Sequence, residues 1–224
     1  MKFLIIPLLL SFPLIAAAHE TESHYDRVHL SANAQTQVEN DTVIAALYAQ
    51  EEGSDAAQQA DLVNQRIDEA IKLIKQHDTI KVQTGSYSTT PVYKNNKITG
   101  WRVRQAIRLE STDMALMSDL LGQLQKTLAV QQISYAVSPE LKNRTDDTLI
   151  SEALEVFEQR AKKITGQLNR KNYKIVDIKV STSVNHYPRR SYEAMPMASK
   201  VAAPAIESGE QTLAVTVSGQ IEME

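Results

Sequence analysis

The chain has 224 residues, 42% apolar and 23% charged, enough to close one large core or two adjoining ones. Its formal charge of −3 opposes non-specific nucleic-acid binding, which rests on neutralising many phosphates. It contains no cysteine, which excludes a disulfide and the lipid that bacterial lipoproteins carry on that residue, so stability must come from packing.

Residues 1–18 read as an export leader. Lys2 supplies the positive charge, Phe3–Ile15 is a short apolar run containing Pro7 and Pro13, and Ala16–Ala18 offers a small-residue cleavage site. The run is too short for a retained membrane anchor, and no later stretch is apolar for long enough to span a bilayer. Residues 19–27 form a polar tail holding His19 and His24.

Val28–Val38 alternates as a strand, Glu39-Asn40-Asp41 is a turn signal, and Thr42–Ala49 reads as the hairpin partner. Ser54 or Asp55 caps a long helix running to about Gln76, with Ala60, Val63, Ile67, Ala70, Ile71 and Ile74 on one face. Ile80–Tyr93 and Ile98–Glu110 make a second hairpin through Lys94-Asn95-Asn96-Lys97, where asparagine takes left-handed geometry cheaply. Asp113–Leu128 is a shorter helix with Met117, Leu120, Leu121, Leu124 and Leu128 inward, and Gln132–Ser138 is strand-like.

The longest helix is read over Asn143–Lys171. Ile150, Ala153, Leu154, Phe157, Ala161, Ile164 and Leu168 recur at steps of three and four, with Glu152, Glu155, Glu158, Lys162 and Lys163 mostly between them. Its stripe is expected to lie on three strands: Gln132–Ser138, Tyr173–Ser183 and Gln211–Glu222. Between Val184 and Gly209 runs a long connection, read as a contact surface or a solvated flap, with Tyr187, Tyr192, Met195 and Met197 as contact candidates. Strand, long helix and hairpin occur around 55–110 and again around 145–222, a topological echo without residue identity. The expected fold is α+β: a mixed, mainly antiparallel sheet under two long helices and one shorter helix. It spans 28–222, in sub-parts of roughly 28–138 and 139–222, with the long loop at 184–209.

Few patterns carry chemistry. Arg102, Arg104 and Arg108 alternate along a strand and so share a face. With Lys94 and Lys97 they are candidates for an anionic ligand or a lipid head group; the plainer reading is a solvated face opposite Val103, Ile107 and Leu109. His19 and His24 offer a copper clamp if cleavage makes His19 the amino terminus, but an unstructured polar tail is the simpler reading, so no metal is expected. The hydroxyls of Thr84–Thr90 lack a nucleophile elbow and His–Asp partners. Glu152, Glu155 and Glu158 are solvating charges. No phosphate-binding glycine loop or zinc motif is present. No catalytic residue and no cofactor are expected. Oxidation of Met195 and Met197 to the sulfoxide is chemically cheap but non-specific.

Val82-Gln-Thr-Gly-Ser-Tyr-Ser-Thr-Thr-Pro-Val-Tyr93 followed by Ile98-Thr-Gly-Trp-Arg-Val-Arg-Gln105 resembles the "QTxxYSxxPxY…ITGYR" hairpin of the SIMPL-domain family of bacterial envelope proteins. That family includes periplasmic oxidative-stress-defence proteins and outer-membrane immunogenic proteins. Pro204-Ala-Ile-Glu-Ser-Gly-Glu210 resembles the lead-in to the family's last strand, and Asn40-Asp41 stands where the family has Pro-Asp. The chain departs from the pattern at Ala32 and Ala34, where glycines are usual, at Trp101 for tyrosine, and at Leu168-Asn169 and Asn172-Tyr173 for Leu-Gly. The resemblance implies a periplasmic, non-enzymatic protein that self-associates, ring- or channel-like in some relatives, with a link to oxidative-stress tolerance. It names no catalytic residue. Peripheral envelope association fits the same picture. A binding module using the arginine-bearing face is the alternative, and a hydrolase ranks third.

Overall fold

The computed structural model describes residues 26–185 and 208–224. The leader, the histidine tail and most of the long connection lie outside the described residues, and with them His19, His24, Tyr187, Tyr192, Met195 and Met197.

Two sheets form, and every strand pairing in them is antiparallel, so the mixed sheet expected above is corrected. The strands are β1 (Arg27–Glu39), β2 (Thr42–Gly53), β3 (Lys81–Lys94), β4 (Lys97–Ser111), β5 (Ala129–Ala136), β6 (Tyr173–Asn185) and β7 (Glu210–Met223). One sheet runs β1-β7-β6 and the other β3-β4-β2-β5.

The hairpin expected between β1 and β2 does not form. β2 reads Thr-Val-Ile-Ala-Ala-Leu-Tyr-Ala, close to a continuous apolar run, and burial suits such a strand best at the centre of a sheet; it lies between β4 and β5. β1 is polar on alternate positions and crosses to β7. The two residues between them make the crossing. Asn40 donates its backbone N–H to Gly209 O and its side-chain amide to Ser208 O and Gly209 O. Asp41 accepts from both the backbone N–H and the hydroxyl of Ser138.

α1 (Ala56–Ile74) starts at Asp55, whose carboxylate accepts from Ala57 N and Gln58 N. It buries Val63, Ile67, Ala70 and Ile74 over β2 and β4. α2 (Met114–Leu124), capped by Asp113, adds Met117, Leu120, Leu121 and Leu124 to the same core.

α3 (Pro139–Gln167) begins earlier than the periodicity suggests. Ser138 Oγ accepts from Leu141 N, and Pro139 occupies the first turn, where its missing N–H costs nothing. The helix stops at Asn169, which takes the left-handed φ of 56°. Its buried line is Leu149, Ala153, Phe157, Ala161 and Thr165, with Ile150 and Leu154 half-buried beside it. Leu168 lies past the helix end and is 53% exposed, so its place in the stripe is corrected.

The floor beneath α3 also differs from expectation. α3 rests on β7 and β1 and only grazes β6, while β5 belongs to the other sheet. The echo between the two halves is nonetheless real in topology. β2-β4-β3 under α1 has the same strand arrangement as β1-β7-β6 under α3, and the chain's first strand, not β5, completes the second unit.

Candidate functional site

The arginine face of β4 forms as alternation requires. Val103, Ile107 and Leu109 are buried, and Arg102, Arg104 and Arg108 point the other way. Antiparallel register sets Glu52 of β2 opposite Arg102, while Arg108 finds Glu110 two residues along its own strand. Arg102 donates from Nε and Nη2 to Glu52 Oε2 at 3.0 and 2.8 Å, and Arg108 pairs with Glu110 at 3.4 Å. Arg104 differs. Its Nη2 donates to the neutral Gln131 Oε1 at 2.7 Å, and its guanidinium carbon lies 3.7 Å from the centre of the Tyr48 ring. Among the described residues it has no carboxylate partner.

Lys94 and Lys97 face each other across the hairpin turn. At roughly 3.3 Å per residue, Lys97 lies about 16 Å along the strand from Arg102 and about 36 Å from Arg108. The five cations picked out in the sequence therefore do not converge. Glu52, Gln131 and Tyr48, which set the character of the face, were invisible in the sequence because only cross-strand register brings them there.

The second surface is β6, an edge strand that among the described residues is bonded only to β7. Ile175, Ile178 and Val180 stand opposite Ile221, Gly219 and Val217, on the side that α3 covers. They nevertheless remain 45, 40 and 42% exposed, because α3 lies over β1 and β7. Val176, the extra residue of a β-bulge, is 41% exposed. Lys174, Asp177, Lys179 and Ser181 occupy the opposite, polar face, opposite Glu222, Gln220, Ser218 and Thr216. There Arg27 Nε donates to Glu222 at 2.7 Å and holds that carboxyl below its ordinary range, helped by Lys174.

Edge strand β3 is built differently. Pro91 removes a donor, a bulge falls at Gly85-Ser86, and lysines stand at both ends. Each of these discourages pairing with another chain.

At the junction of the sheets, burial works against the charge on Asp41, but the hydrogen bonds from Ser138 and Thr42 outweigh it and hold the carboxyl below its usual range. Among the described residues no three His, Asp or Glu side chains gather as a metal site, and no helix is long and apolar enough to cross a membrane.

Two antiparallel sheets, each roofed on one face by a long helix, define an α+β fold of duplicated topology. The SIMPL family, described as proteins of unknown function (DUF541), matches residues 28–221, and the chain belongs to it. A search of curated proteins finds no match.

Proposed function

We propose that this is an exported, non-enzymatic protein of the periplasm or cell envelope that works as a homo-oligomer and contributes to oxidative-stress tolerance. The leader-like residues 1–18 support export. The stress link rests on resemblance to SIMPL relatives alone. Self-association rests on one observation: β6 is an edge strand carrying four exposed aliphatic side chains, Ile175, Val176, Ile178 and Val180. Unpaired N–H and C=O groups beside apolar surface favour pairing with another chain. Light scattering on the purified protein at micromolar concentration should give a mass of two or more subunits. A monomer throughout that range overturns the reading.

A second reading, a module for small anions or lipid head groups on the β4 face, has one observation in its favour. Arg104 is pre-positioned on Tyr48 with no carboxylate among the described residues to neutralise it. Native mass spectrometry separates the two readings, since it reports subunit number and any co-purifying ligand together.

A further inference from the structure

We infer that β6 pairs antiparallel with β6 of a second copy about a two-fold axis through Ile178, joining two three-stranded sheets into one of six strands. The inference rests on the self-association reading and adds the surface, the symmetry and the register.

A two-fold axis perpendicular to the sheet keeps the helix-covered faces on the same side. Side chains of the same face must then stand opposite each other, because directly opposed residues of an antiparallel pair point the same way. That leaves few registers for the regular stretch after the bulge, Asp177–Ser183. An axis through Asp177 opposes two aspartates, and one through Lys179 opposes two lysines. An axis through Val180 sets Asp177 against Ser183 and Lys179 against Ser181. Only an axis through Ile178 sets Asp177 against Lys179 of the partner copy, twice, with Ile178 against itself between them. Neither Asp177 nor Lys179 has an ion-pair partner among the described residues, so both charges are available. The pairing also brings the apolar residues of both β6 strands into one strip, framed by the two α3 helices.

The test exploits the absence of cysteine. In Ile178→Cys the two introduced thiols lie on the axis, with Cα atoms about 4.5–5.5 Å apart, inside the span a disulfide tolerates. Mild oxidation should link most of the protein into dimers. Ser183→Cys, whose two copies lie roughly 33 Å apart in this register, should not link. Asp177→Lys and Lys179→Asp should each weaken the dimer about tenfold or more, since each opposes two like-charged pairs. Mixing these two variants should restore it as a heterodimer, because every lysine then meets an aspartate. Both substitutions are on the polar face, and restoration by mixing itself demonstrates folded chains. If the unsubstituted protein is a monomer, this pairing and the self-association reading fall together. If it is an oligomer that both variants leave intact, or that mixing does not restore, or if Ser183→Cys links and Ile178→Cys does not, only this pairing falls.

Discussion

Phe157 lies over Gly219: a Cβ added to that glycine would come within 3.2 Å of Phe157 Cζ and would also meet the backbone of Asp177 and Ile178 on β6. Phe157 is the largest fully buried side chain among the described residues, and the bare strand at Gly219 lets α3 approach the sheet closely. Gly219→Ala is expected to lower unfolding free energy by about 1–3 kcal/mol in urea titration, as overpacking does. Trimming the ring in a Phe157→Leu background should not restore the loss, since the obstruction at Asp177 is backbone carbonyl.

Asp41 joins the start of α3 to the crossing between the sheets. Its carboxyl is held below the ordinary range, so its contribution is present in full at neutral pH and disappears as pH falls below about 4, through the folded-state value. Asp41→Asn should cost about 1–3 kcal/mol at pH 7, having lost a charged acceptor for Ser138. The difference between the two proteins should shrink as pH falls through that value, as thermal denaturation across the acid range would report.

Asp146 is buried on α3, paired through Oδ2 with Lys142, while its Oδ1 has no partner among the described residues. Lys142→Met removes the counter-charge and should destabilise by roughly 3 kcal/mol or more. Lys142→Met combined with Asp146→Leu should recover much of that loss, because the cost lies in the stranded charge. A double-mutant cycle in chemical denaturant measures the difference.

Asn95 and Asn96 have φ of 50° and 59°, both left-handed, as a two-residue hairpin turn with the right twist requires. Asn96→Gly should be neutral or stabilising by up to about 1 kcal/mol, while Asn96→Val should cost roughly 1–2 kcal/mol, the penalty for a Cβ in that region. Thermal melts of the two variants check the sign.

Arg102, Arg104 and Arg108 are expected to matter little for folding. The ion pairs of Arg102 and Arg108 are about half exposed, and Arg104 bonds only to a neutral amide among the described residues, so each alanine replacement should shift stability by less than about 1 kcal/mol. Arg104→Ala should cost the most of the three, through lost stacking on Tyr48.

Local pattern carried much of this protein. The periodicity of Val63, Ile67, Ala70 and Ile74 fixed α1 and its buried face, Asp55 and Asp113 marked helix starts, and Asn95-Asn96 marked a turn, because each depends on neighbours within a few residues. The alternation around Val103, Ile107 and Leu109 likewise separated the arginine face of β4 from its core face. Strand partnership was beyond that reach. β1 is adjacent to β2 in sequence, yet it lies against β7, some 170 residues onward, because Asn40 and Asp41 are tied to Gly209 and Ser138 and not to each other's strands. Which strands α3 would cover, that β6 would keep its aliphatic side chains uncovered, and that Arg104 would meet Tyr48 instead of a carboxylate all follow from such distant pairings. A residue's own pattern says which way it points in an element; only the assembled sheets decide what it meets there.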